Sequence, residues 1–409
     1  MFPMVDPSRS VDPFAINKRV SIYDDTYSLH LNCAGGPKPT EENKKRHFFS
    51  PTIVLETGLA MTSTVSWNQT LLIKLRNIGL FLNSEEGFGS DLRVCFYDRA
   101  GYGFSDSGPM PQTAKRNAEA LYETLKAAEE IGPFILVGHS FGGNIIRIFA
   151  HAHSEQVAGI VFLDSDHEDR FERSAALWPA KSLDAYHAEF VNMATKMGAA
   201  GALASPFAAG DRLLVDEFSK MQVGHVYTAR EIAATFKGKF FKAVSSEMLN
   251  YVHTNPPQIR KTVPYAPRTN LPVSVVIAIS DITKYCTPKP RVPRDSKQFT
   301  NIDAENDTPA SMCEPLHETN LAPSLAAAEA QAHFEGQWKL ATQLSRVTRV
   351  LFVESSHYVV FDAPDAIVEA VEAVVLEARR FARGEFVSWH ETTENQEDEE
   401  LVEMEDDYF

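Results

Sequence analysis

The chain has 409 residues, 44% of them hydrophobic and 23% charged, with a formal net charge of −16. This is globular composition, and the acidity argues against a nucleic-acid partner. No apolar run reaches the roughly 18 residues of a bilayer-spanning helix, and the leader at 1–18 lacks the basic and apolar stretches of a secretory signal, so a cytoplasmic location is expected.

The charge is uneven. Residues 385–409 hold eleven Asp or Glu and no Lys or Arg, which leaves about −5 for the rest. This acidic stretch reads as a disordered, self-repelling tail, with a docking motif on Leu401, Val402, Met404, Tyr408 and Phe409 for a protein partner as the alternative. Cys33, Cys95, Cys286 and Cys313 lack CxxC spacing, which argues against a zinc knuckle or a dense disulfide framework. Free thiols are expected, with Cys286–Cys313 as the pair that could form.

In chain order, KRVSIYDDTYSLHLNCAGG reads as a hairpin around DDT. TIVLET (52–57) is a buried strand, and WNQTLLIKLRNIGLFL (67–82) has helical spacing. LRVCFYD (92–98) is a strand ending in the loop RAGYGFSDSGP, and 111–132 is a helix with Pro111 near its start. The strand PFILVGH, the helix FGGNIIRIFAHAH and the strand AGIVFLDSD (158–166) follow. Strands alternating with helices imply a mostly parallel, doubly wound α/β sheet covered on both faces. Residues 167–270 have helical patterning and read as an inserted helical cap. The sheet resumes at 271–281, and a Pro-rich irregular loop spans 282–318. The helix LAAAEAQAHFEGQWKLATQLSRV, a last strand in 348–357 and an amphipathic helix at 366–383 complete the pattern. The organisation is thus a leader (1–18), a core in two parts (19–166 and 271–384), a cap (167–270) and a tail (385–409).

GHSFG at 138–142 matches G-x-S-x-G between a strand and a helix, the context of a nucleophile elbow. A turn this sharp strains its central residue and presents Ser140 at the tip. Gly138 and Gly142 remove side chains where the turn packs closely. The N–H of Phe141, at a helix N-terminus, points into the same space, where the helix dipole favours an oxyanion.

LVGHSFGG, VCFYDRAGYGFSD, IVLETGLA and ESSHYVVFDAPDAIVEAV together resemble an α/β-hydrolase-fold serine hydrolase of the branch with a helical cap, over most of residues 19–383. The resemblance implies a triad in the order Ser, acid, His. It makes Ser140 the nucleophile and His357, after the last strand, the base. His139 is expected to pack the elbow. For the acid, Asp164, at the end of IVFLDSD, is preferred. Asp281, at the end of VVIAISD, is the alternative, and Asp166 a third. Asp281 lies where most family members keep their acid, but the family's Gly after that strand is Ser280 here and Thr283 sits near the expected Asp. The second oxyanion N–H is assigned to Leu59; the family's His-Gly is replaced by Thr57-Gly58. Asp98 and the glycines of YDRAGYGFSD are expected to fix a tight loop, and HED at 167–169 to form the entry to the cap.

The expected function is therefore a serine hydrolase, with no cofactor and no metal, acting through an acyl-enzyme. Its substrate would be a small to medium, largely apolar carboxylic ester or lactone. A ligand receptor or lyase on the same fold, or an acyltransferase, is the alternative.

Overall fold

The computed structural model describes residues 16–38, 50–82, 92–203, 237–263, 270–280, 282, 286–288, 300–301, 313–315, 324–345 and 348–384. The acidic tail, most of the leader, Asp281 and nearly all of the 282–318 loop lie outside the described residues, as does the cap segment at 211–225.

Strands β1 (Ile16–Ile22) and β2 (Tyr27–Ala34) form the antiparallel hairpin, with Ile22 opposite Tyr27. Tyr23, Asp24 and Asp25 turn the chain with φ of 51°, 51° and 64°, a region that Asp enters more readily than most residues. Next come β3 (Thr52–Glu56), a short α1 (Ser63–Ser66), α2 (Gln69–Leu82), β4 (Val94–Tyr97) and α3 (Ala114–Ala127). Thr113 caps α3 by accepting from the Arg116 N–H. The sequence continues through β5 (Phe134–His139), α4 (Gly142–Ala152) and β6 (Val157–Leu163). After a helical insertion come β7 (Val273–Ala278), the short strands β8 (Cys286–Pro288), β9 (Thr300–Asn301) and β10 (Cys313–Pro315), and α9 (Leu325–Gln343). The last elements are β11 (Thr348–Val353), α10 (Val359–Asp362) and α11 (Pro364–Ala382).

The main sheet has the order β1-β2-β4-β3-β5-β6-β7-β11-β9. It is parallel from β4 through β11, and antiparallel at the β1–β2–β4 end and where β9 meets β11. Neighbouring strand residues point to opposite faces. Ile53, Leu55, Ile135, Val137, Val161 and Leu163 pack in one layer with Leu71 and Leu75 of α2 and Val371 and Val375 of α11. Val54, Phe134, Leu136, Ile160 and Phe162 pack in the other with Leu121, Leu125, Phe149 and Trp338. Both faces are covered, which explains why the strands read as continuous apolar runs rather than alternating ones.

The described residues between β6 and β7 contain no strand and form α5 (Arg170–Leu177), α6 (Leu183–Leu203), α7 (Gly238–Asn250) and α8 (Asn255–Thr262). Phe240, Phe241, Val244 and Met248 of α7 share a buried cluster with Ala60 and Tyr102, and Leu59 packs against it. The insertion therefore sits on the loops that follow β3 and β4.

The cysteine expectation changes. Register pairs Cys33 of β2 directly with Cys95 of β4, and a disulfide joins them across the sheet with both side chains buried. They are 62 positions apart, so only the strand pairing brings them together. The strands that carry Cys286 and Cys313 also pair, but in a register that sets each cysteine opposite a proline.

Candidate active site

Strand β5 stops at His139, and Ser140 then takes φ +53° before Phe141 begins the helical turn. A non-glycine residue there stores roughly 1–3 kcal/mol of strain, held in place by surrounding bonds. The Ser140 N–H donates to the Leu163 carbonyl (3.1 Å), and the Ser140 carbonyl accepts from the N–H groups of Gly143 (3.0 Å) and Asp166 (3.1 Å). The flanking glycines are steric conditions. A Cβ on Gly138 would lie 2.7 Å from Ile146 Cδ1, and one on Gly142 would lie 2.7 Å from the Thr57 carbonyl oxygen.

Two distant segments converge on this turn. His357, in the loop after β11, has Nε2 2.9 Å from Ser140 Oγ. Its Nδ1 lies 2.6 Å from Asp164 Oδ2, just past the end of β6. Burial alone would raise the Asp164 carboxyl. His333 and His357 beside it hold it well below the usual carboxylate range. Burial works against the charged form of His357, but the Asp164 bond and charge raise its pKa above the ordinary histidine value. The tautomer these contacts favour has Nδ1–H donating to Asp164 and a bare Nε2 facing Ser140.

The other sequence candidates take distinct places. Asp281 lies outside the described residues. Its strand β7 nevertheless reaches the site, because the Ala278 N–H donates to Asp164 Oδ1 (3.0 Å). Asp166 is paired with Arg170 and Tyr251, and this company, against the opposing effect of burial, brings its pKa to about 2. His139 is fully buried, and burial followed by the nearby His357 lowers its pKa to about 4. As a neutral ring it donates from Nε2 to the His357 carbonyl (2.8 Å), so it fixes the main chain at His357. Phe141 is the N-cap of α4, where backbone N–H groups have no intrahelical acceptor. Leu59 and Ser140 line one cavity of about 320 Å³, walled by Met61, Phe171, Phe190, Met248, Tyr251 and Tyr358. A second cavity of about 340 Å³ lies against the Asp164 side of His357, between Ala278, Gln337 and Phe334.

Two groups at the site escaped the sequence reading. His333 Nε2 lies 3.0 Å from Asp164 Oδ2, and Gln337 Nε2 donates to Oδ1 at 2.8 Å. They stand four residues apart on α9 and so share one helix face. The polar pair His333/Gln337 within HFEGQW, one helical turn apart between Ala330 and Ala341, was the available signal.

Asp164, His333 and His357 also place three ligand-type atoms within 4.8 Å of one another. Their spacing is that of hydrogen bonds. At 2.6 Å, His357 Nδ1 and Asp164 Oδ2 are closer than two ligands about 2.0–2.2 Å from one tetrahedral zinc would stand. The HED segment is saturated with charge partners. Glu168 pairs with buried Arg147, and Asp169 with Arg260 (2.8 Å) and Lys339 (2.6 Å). Asp98 accepts from Ser63 Oγ (2.6 Å) and the Phe104 N–H (3.1 Å), which ties down the loop after β4.

The family model for the alpha/beta hydrolase fold matches residues 51–207, a span that contains Leu59, Ser140, Phe141 and Asp164. The solved structure of a mutant of a protein provisionally assigned as an epoxide hydrolase, from Pseudomonas aeruginosa, superposes with a TM-score of 0.50 at 17% identity, covering 91% of this chain and 99% of that one. The chain has the α/β-hydrolase fold. Among sequence relatives of this chain, an uncharacterised vacuolar membrane protein of Saccharomyces cerevisiae is 34% identical over 155 residues. That match covers 35% of this chain and 21% of the yeast protein. A 1-acylglycerol-3-phosphate O-acyltransferase of Arabidopsis thaliana is 30% identical over 91 residues, 21% of this chain and 22% of the plant protein. The chain thus spans only about a fifth of the length of either relative. No helix among the described residues is long and apolar enough to cross a membrane.

Proposed function

We propose that this α/β hydrolase is a serine hydrolase that cleaves a small to medium, largely apolar carboxylic ester or lactone through an acyl-enzyme. The observation that carries the reading is the continuous relay Ser140 Oγ–His357 Nε2 (2.9 Å) and His357 Nδ1–Asp164 Oδ2 (2.6 Å). Both distances are within the reach of general-base chemistry.

In this mechanism Ser140 Oγ attacks the carbonyl carbon while His357 Nε2 takes the hydroxyl proton. Asp164 stabilises the imidazolium and remains ionised itself. The N–H groups of Phe141 and Leu59 hold the tetrahedral oxyanion. The imidazolium then protonates the departing alcohol. Water, deprotonated by His357, attacks the acyl-Ser140 ester and regenerates the enzyme. An apolar acyl or alkoxy group suits the Phe171, Phe190 and Met248 walls. A serine at the elbow disfavours the alkyl-enzyme route to epoxides or haloalkanes, which needs a carboxylate there.

The test is steady-state turnover of p-nitrophenyl acetate, butyrate and octanoate, with Ser140→Ala as the blank. Multiple turnovers by the wild type and none above background by the variant are expected. Equal rates for the two proteins would overturn the proposal. Acyl transfer is a second reading, favoured by the plant relative. Adding glycerol or lysophospholipid acceptors separates the two, since a transferase diverts the acyl group to acceptor while free-acid release falls.

A further inference from the structure

Glu56 ends β3, Arg99 follows β4, and Glu247 lies on α7 of the insertion; all three side chains are 1% exposed. An ion group buried this deeply is costly unless its charges are paired and hydrogen-bonded. Here one guanidinium serves two carboxylates, and burial, with the nearby Glu247 charge, raises the Glu56 carboxyl. Arg99 Nη1 donates to Glu56 Oε1 (2.7 Å), while Nε and Nη2 donate to Glu247 Oε1 (2.9 Å) and Oε2 (3.3 Å). Tyr102 and Asn117 also donate to Glu247 (2.5 and 3.0 Å). Burial opposes the Arg99 charge, but Glu247, Tyr102 and Glu56 around it raise its pKa well above the ordinary value.

The same guanidinium does more than neutralise carboxylates. Nη1 donates to the Thr57 carbonyl and Nη2 to the Gly58 carbonyl, both at 2.8 Å. The Gly58–Leu59 peptide is trans, so its N–H points opposite to its carbonyl. Drawing the Gly58 carbonyl onto Arg99 therefore turns the Leu59 N–H away from the buried cation. Gly58 abuts the elbow, where an added Cβ would lie 3.1 Å from Ser140 Cβ and 3.0 Å from His139 Nδ1. Tyr102, bonded to Glu247, also accepts from the Ala60 N–H (3.3 Å), and Thr57 Oγ1 donates to the Met61 carbonyl (2.8 Å). The whole loop is held from beneath.

We propose that Arg99, anchored by Glu247 of the insertion, is a positioning residue that aims the Leu59 N–H at the Ser140 oxyanion site. The insertion and the oxyanion donor then share one rigid contact, and its loss weakens transition-state binding more than substrate binding. This rests on the serine-hydrolase reading above.

Arg99→Lys keeps a charge but loses the planar fork, because one ammonium cannot serve two carbonyls and two carboxylates at once. Deleting an oxyanion donor outright costs about 10²–10³ in kcat, so misaiming one is expected to cost about 10- to 100-fold, with KM within about threefold. A trifluoromethyl ketone forms a tetrahedral oxyanion on Ser140, so its Ki should rise by the factor by which kcat/KM falls. Glu247→Gln, which keeps the shape of the anchor, should move both constants the same way by about fivefold, a loss within the range for one ordinary hydrogen bond. The comparison uses full-length proteins shown to be folded by circular dichroism, with p-nitrophenyl butyrate as substrate. If Arg99→Lys does not fold, Glu247→Gln decides. A purely structural role would lower the melting temperature and leave kcat and Ki unchanged. Folded variants with both constants within twofold of wild type overturn the inference. Failure of the underlying reading is distinguishable, because wild type itself would then show neither turnover nor ketone inhibition, and the inference would fall with it.

Discussion

The proposed nucleophile side and the proposed acid–base side of this site are built in different ways. Ser140 is presented by one continuous piece of chain, β5, a strained turn and α4, with Gly138 and Gly142 admitting the close packing. The acid–base side draws on four distant segments: Asp164 after β6, Ala278 at the end of β7, His333 and Gln337 on α9, and His357 after β11. A local device can be specified by a short motif. A convergent one exists only once the sheet has placed its strand ends side by side. The two halves should therefore fail differently when altered.

The largest effect is expected on the local side, where Ser140→Ala removes the proposed nucleophile itself. Ester turnover should fall by at least about 10⁴-fold, with the residue coming from binding and the oxyanion donors. The melting temperature should hold or rise, since the variant leaves no buried charge unpaired. Asp164→Asn tests the convergent side. It should cost about 10⁴-fold in kcat by presenting the wrong His357 tautomer, with labelling of Ser140 correspondingly slow. Near-normal turnover in that variant would move the acid elsewhere, with Asp281 as the next candidate.

The pH dependence sharpens the same contrast. As the proposed base, His357 would act only when neutral, and Asp164 raises its pKa above the usual histidine value. Wild-type kcat/KM should therefore rise with pH through a value above about 6.5. His333→Phe removes one donor to Asp164 and leaves its charge less shared, so that limb should shift to higher pH. The accompanying loss in kcat is expected to be roughly tenfold, the scale of one charged hydrogen bond. Stability responds at the acid end of the scale. Asp164 and Asp166 have depressed folded-state pKa values, about 2 for Asp166. Their contribution is complete above the unfolded value of about 3.9 and is lost as pH falls through the folded values. Acid titration of the thermal melt should show this, and Asp166→Asn should flatten the slope.

The smallest effect on activity is expected at the far edge of the sheet. Reducing Cys33–Cys95, or replacing both residues with Ser, should lower stability by about 2–4 kcal/mol. Turnover at 25 °C should stay unchanged, as read by urea unfolding beside a p-nitrophenyl butyrate assay.

Much of the fold was legible because the parallel strands are apolar on both faces and the helices between them are amphipathic. Each helix from the sequence reading that falls within the described residues lies within a few positions of its structural place. For 111–132, the helix contracts to Ala114–Ala127. The strand read at 158–166 ends at Leu163, because Asp164 leaves the ladder with φ +41°. That departure from the strand is what turns its carboxylate towards His357, and periodicity carries no sign of it. His333 and Gln337 were missed for the same reason: their meaning depends on which strand end α9 crosses. Cys33 and Cys95 became partners only through the β2–β4 register. Arg99 sat in a stretch whose Asp98 and glycines were read as loop chemistry. Its two carbonyl bonds to Thr57 and Gly58 were visible only after folding.

The central claim, that Ser140 is an activated nucleophile, is tested most directly by intact-protein mass spectrometry after exposure to a fluorophosphonate. The account predicts a single adduct on the wild type, mapped to the peptide containing Ser140, none on Ser140→Ala, and slow formation on Asp164→Asn. A folded wild-type protein that takes no adduct, or takes it on another residue, would contradict it.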